Sequence, residues 1–154
     1  MLTLMIDFAN MLLAALVVGG LFGAWLLLNP KGVDANSYVI LQQQAIRTMN
    51  KVMPPLGAAT ILVTMAAAIL GRADHRRLWL LIAAVVCFSA SGVITRFRNQ
   101  PINAIVVTWR RDVPPSDWTM LRDTWWRWHV IRLATGLAAL FLLIAATLKA
   151  GWSD

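Results

Sequence analysis

One stretch of this chain concentrates residue types that hold and move charge. Trp118, Arg122, Trp125, His129, Arg132 and Gly136 are spaced 4, 3, 4, 3 and 4 residues apart, so in a helix they share one face. An imidazole titrates near neutral pH, which suits His129 to act as a general base or hydrogen-bond partner. Arg132, one turn further, adds a fixed positive charge that carries only donors. The same pattern also fits a hydrogen-bonded histidine in an interfacial aromatic belt. The stripe alone leaves both readings open.

A second constellation lies in "RFRNQPIN". Arg96, Asn99 and Asn103 are spaced 3 and 4 residues apart, with Pro101 able to bend the face. Amides and a guanidinium can bind a carbonyl oxygen and hold negative charge that develops on it. The alternative is a capped helix start at Pro101, with Asn99 or Gln100 as the cap. Upstream, Gln43, Gln44, Arg47 and Asn50 also have partly helical spacing. The catalytic candidates are therefore His129, Arg132, Asn103 and Asn99. The ligand-binding candidates are Arg96, Trp125, Trp118, Arg122, Asn50 and Gln43. Most of the set Trp109, Trp118, Trp125, Trp126 and Trp128 reads as membrane belt, but one or two on the His129 face could stack on a flat ligand.

Metal chemistry has little to work with. His75, His129 and Cys87 are far apart, and all seven acids are Asp, whereas zinc and copper sites gather several His, Cys or carboxylate ligands. No metal site is expected. A haem held by His129, alone or with a methionine, is the one cofactor alternative. No Asp lies inside an apolar block, which argues against an ion-coupled transporter. With a single Cys there is no internal disulfide and no inference about redox compartment. "GGLFG" reads as small residues for close helix packing rather than a phosphate loop.

These side chains must be positioned by membrane helices. Hydrophobic residues make up 59% of the 154, above the roughly 45–50% of soluble domains. Charge is missing from residues 8–30, 52–71, 78–95 and 133–148. About 20 mostly apolar residues cross the hydrocarbon, and arginines at the ends of the shorter blocks can snorkel. The expectation is an all-α integral membrane four-helix bundle in one domain, with helices near 4–28, 53–71, 78–98 and 117–149. Segments 36–51 and 101–116, from the first and third connections, form a small helical cap. The first block has no preceding Lys or Arg and is too long for a signal's apolar core, so it reads as a retained helix. Asn36 or Ser37 is the expected cap of the first connection's helix. Pro54 and Pro55 should kink or restart it, and Ser116 should cap the last helix.

Four spans put the two long connections on one side, and the termini with "GRADHRR" on the other. A raw count of cations places the long connections in the cytoplasm. Arginines recruited to a site distort that count, and "GRADHRR" is a compact basic loop of the usual cytoplasmic kind, so the reading favours termini inside. The net charge of +7 belongs beside anionic headgroups. No nucleic-acid motif accompanies it, and nucleic acid is not an expected partner. The lipid bilayer is one; a homo-oligomer is possible.

"QQQAIRTMNKVMPPL", then "NQPINAIVVTW", then "LRDTWWRWHVIR" resemble, in that order, a membrane family of unknown function that contains anthrone oxygenase-like proteins. The likeness spans nearly the whole chain. It rests on Asn99, Pro101 and Asn103 after the third span, and on Trp125 or Trp126 with His129 and Arg132 opening the fourth. The resemblance implies oxidation of a flat, lipophilic, enolisable ketone by O₂ without a cofactor. His129 would remove the proton, and Arg132, Arg96 or the asparagines would hold the enolate oxygen. The alternative is a non-enzymatic accessory subunit or small-ligand-binding protein, whose Asn, His and Arg network only fixes the helices.

Overall fold

The structure is a computed structural model describing residues 1–150, with side chains described for residues 1–148. Its elements are α1 (Leu2–Leu27), α2 (Ala35–Leu70), α3 (His75–Ile94), a π-helical turn (Thr95–Asn99), α4 (Gln100–Val106) and α5 (Trp118–Ala150). There is no strand among the described residues. Four helical segments are long and apolar enough to cross a membrane. α1 packs on α2 and α5, and α3 packs on the same two, which closes an antiparallel four-helix bundle. Phe8, Leu16, Leu62, Ile69, Val86 and Phe141 point outward and are exposed. Such a large apolar exterior is what a bilayer covers and water does not. The side chain of Lys149, a cation on the side of the termini, lies outside the described residues.

Several boundaries differ from the sequence reading. Asp34, rather than Asn36 or Ser37, caps α2, its carboxylate accepting from the Ser37 N–H at 3.1 Å. α2 then runs unbroken through Pro54 and Pro55 for 36 residues, about 54 Å at 1.5 Å per residue. The prolines free the carbonyls of Asn50 and Lys51. Both residues are exposed, so water can satisfy those carbonyls where the helix leaves the bilayer. α3 likewise continues through the π turn into α4, and no side-chain cap interrupts it at Asn99 or Gln100. The last helix starts at Trp118; the Asp117 carbonyl accepts from the Leu121 N–H at 3.4 Å, so Asp117 rather than Ser116 precedes the first helical residue. Of the "GGLFG" glycines only Gly20 is closely approached, a Cβ there meeting Met53 Sδ at 2.9 Å.

The first half of α2 and the short α4 pack over the start of α5. Tyr38, Val39 and Ile46 form one buried cluster with Ile102, Val106, Trp109 and Trp125. That cluster roofs one end of the bundle, so the α2 cap matters for the roof. The Asp34 carboxyl is held below its usual value, first by the Ser37 hydroxyl and then by the Ser37 N–H. A depressed folded value means that the cap's stabilisation is present above the ordinary carboxylate value and disappears as pH falls through the lowered one. Amide exchange in the first turn of α2, corrected for intrinsic chemistry, should therefore accelerate below about pH 4. An unchanged rate, or an identical change in Asp34→Ala, would show that the ionised cap does not hold this turn.

Candidate functional site

Beneath the roof lies a cavity of about 470 Å³, within the roughly 300–1,000 Å³ range of small-molecule sites. Val17 and Leu21 of α1, with Leu28 just beyond its end, contribute the apolar wall. Polar groups come from the other elements: Gln42 and Asn50 from α2, Ser91 from α3, Thr95 and Arg96 from the π turn, and Trp125 and Arg132 from α5. Gln100 and Asn103 of α4 complete this polar side. Among the described residues, no acidic side chain lines it.

The π turn places these groups. It inserts one residue into the α3–α4 rod and shifts the register of α4. Asn99 and Asn103 then both meet Trp125. Asn99 Nδ2 donates to the Trp125 carbonyl at 3.1 Å, and Trp125 Nε1 donates to Asn103 Oδ1 at 2.8 Å. The indole is thereby fixed as one wall of the cavity. Gln43 pins the end of α4 to α2, its Nε2 donating to the carbonyls of Val106 at 3.1 Å and Trp109 at 2.9 Å.

Arg132 is fixed from two sides. Nη1 donates to Thr95 Oγ1 at 3.2 Å, and Thr95 in turn donates to the Ser91 carbonyl at 2.8 Å. Nη2 stands 2.7 Å from His129 Nδ1. A guanidinium has donors only, so Nδ1 must accept and the proton of the neutral ring sits on Nε2. The imidazole is fully buried, stacked on Trp125 at 5.0 Å and tilted against Trp126 at 5.9 Å. Arg132 Nε is buried and unpaired. Among the described residues the ion pairs are Arg77–Asp7, Arg110–Asp112 and Arg122–Asp123, so Arg132 meets the cavity with an uncompensated charge.

Asn50, Arg96, Asn103, Trp125 and Arg132 of the sequence candidates share the cavity wall. His129 and Asn99 lie behind it and hold Arg132 and Trp125. Gln43 is structural in its contacts. Trp118 and Arg122 stack on each other at 4.8 Å, with Tyr38 against the indole, above the cavity rather than on its wall. Sequence reasoning missed Gln42, Ser91, Thr95 and Gln100. A signal for Gln42 existed: Gln42, Ile46, Met49 and Met53 recur at 4, 3 and 4 residues, a face that mixes one amide with apolar side chains.

A family model described as anthrone oxygenase matches residues 43–142. No curated protein and no solved structure matches the chain.

Proposed function

From its membership of the anthrone oxygenase family, to which the chain belongs, we propose that it oxidises a flat, lipophilic, enolisable aryl ketone with O₂ in this cavity, using its own side chains and no bound cofactor. The observation that carries the reading is Arg132, an uncompensated guanidinium on the wall of an otherwise largely apolar cavity, oriented by His129 and Thr95. Enolisation moves an electron pair from a methylene C–H bond onto the ketone oxygen. The free Arg132 donor, assisted by Arg96, stabilises that oxygen, and charge stabilised there is worth more than in water. Trp125 offers a flat wall for the rings.

The chemistry balances with O₂ as sole oxidant. The methylene loses a proton to give the enolate. The enolate carbon adds O₂ to give a peroxide, which takes the proton back and expels water. CH₂ and O₂ thus become C=O and H₂O. With Nδ1 engaged by Arg132, His129 acts in this reading as a positioning residue, and water serves as the proton acceptor.

The test is oxygen uptake by membranes carrying the protein, supplied with a hydroxylated anthrone, with empty membranes subtracting autoxidation. Uptake above background, with quinone formed in equal amount, is expected. Anaerobic binding without uptake would make the chain a ligand-binding protein, and neither binding nor uptake would end the anthrone reading.

A further inference from the structure

Gln42 is fully buried on the cavity wall, yet neither its Nε2 nor its Oε1 has a hydrogen-bond partner. Each of the other amides around the cavity makes at least one hydrogen bond, although Asn99 Oδ1 is also buried without a partner. Gln43 holds backbone carbonyls, Asn50 and Gln100 hold each other, Asn99 holds the Trp125 carbonyl, and Asn103 holds the Trp125 indole. A buried carboxamide without partners is unfavourable, whereas Leu or Met would fill similar volume without that penalty. The unspent amide is therefore a place for a ligand's polar group. Position 42 lies just outside the matched residues 43–142, so family membership gives it no role.

Its location says which part of a ligand it meets. Gln42 stands on α2 between Val39 and Ile46, which cluster with Trp125. Arg132 lies seven residues beyond Trp125 on α5, about 10 Å deeper along the axis. A fused aromatic ketone whose oxygen reaches Arg132 thus presents the far edge of a terminal ring to Gln42. A carboxamide offers a donor and an acceptor side by side, and a phenolic oxygen can serve both roles.

We propose that Gln42 is a specificity-determining residue that hydrogen-bonds a phenolic hydroxyl on the ring of the substrate remote from the enolising carbonyl. This rests on the cavity being the seat of an aryl ketone. Sites built to hydrogen-bond a hydroxyl discriminate strongly against ligands that lack it, because the protein group is then left unpaired.

The experiment crosses wild type and Gln42 variants with ligand pairs that differ in the ring hydroxyl. Unsubstituted anthrone and a ring-hydroxylated anthrone are compared by kcat/KM, and the corresponding quinones by anaerobic quenching of tryptophan fluorescence, in wild type and Gln42→Leu. The wild-type preference for the hydroxylated member should shrink about 10- to 100-fold in the variant. Effects of the hydroxyl on ring acidity cancel because they are common to both proteins. Gln42→Leu should fold at least as well as wild type, and Gln42→Met guards against a local misfit. If uptake fails but quinone binding keeps its Gln42-dependent preference, the oxygenase reading falls and the hydroxyl-reading role stands. If uptake is normal and the preference is unchanged in both variants, the Gln42 role falls alone. Absence of any Gln42-dependent difference in either measurement overturns it.

Discussion

Arg132→Ala is expected to lower the maximal rate of oxygen uptake by about 10²–10³-fold, the usual cost of deleting one donor that holds a developing oxyanion. Arg132→Lys should recover little. An ammonium is a point charge and cannot keep the planar fork that reaches Thr95 and His129 together while leaving Nε free. The informative contrast is at the neighbouring position. If His129 positions Arg132, then His129→Asn places an amide oxygen where Nδ1 now accepts, and retains much of the rate. His129→Ala leaves the guanidinium unheld and falls toward Arg132→Ala. If instead the ring takes the proton, Asn and Ala lose activity equally. Rates at saturating ketone and equal protein level distinguish the two, and full activity in Arg132→Ala would remove the enolate-holding role altogether.

The spacing of the α5 stripe was enough to gather Trp125, His129, Arg132 and Gly136 on an inward face, because a 4, 3, 4 pattern is a property of the helix itself. It could not say which of them reaches the cavity. That depends on the approach of α1, whose Leu21 Cδ1 lies 3.1 Å from where a Cβ on Gly136 would stand, and whose packing shuts His129 behind the wall. The four apolar blocks gave the bundle directly, since composition and length suffice for that. The continuous rods were not legible. Pro54 and Pro55 look like breakers until water at the bilayer edge is allowed to satisfy the freed carbonyls, and a π turn has no residue signature that separates it from a capped start. Within the run of three glutamines the sequence pointed to Gln43, whereas the structure ties Gln43 to backbone carbonyls and leaves its neighbour Gln42 on the cavity wall, a one-residue choice that depends on where the partner helices lie.

At the far end of the bundle, Asp7→Ala should cost about 3–5 kcal/mol of stability, the usual penalty for stranding one partner of a buried ion pair. In the sequence Asp7 directly precedes the first uncharged block and Arg77 closes the basic stretch "GRADHRR". In the structure α1 and α3 bring them together at 2.6 Å, with side-chain exposures of 11% and 8%. Asn10 Oδ1, one turn on from Asp7, accepts from Thr64 Oγ1 at 2.8 Å, so α1, α2 and α3 are joined by polar contacts at one depth. Removing the carboxylate leaves a guanidinium with no counter-charge. Replacing both partners, as Asp7→Leu with Arg77→Met, should recover most of the loss because no charge is left buried. By comparison, Arg110→Ala breaks a solvent-exposed pair and should cost no more than about 1 kcal/mol. Thermal unfolding in one detergent checks all three. Asp7→Ala unfolding with wild type would show that the pair contributes nothing.

The same variants separate the two ends functionally. Arg77 and Thr95 are 18 residues apart on one rod, about 27 Å, so substitutions at Asp7 should shift the melting temperature while leaving the rate per folded molecule unchanged. Arg132→Ala should do the reverse, because a charge held without a counter-ion is retained at the expense of stability. One guanidinium is compensated and holds helices together; the other is left uncompensated where a ligand's negative oxygen can complete it.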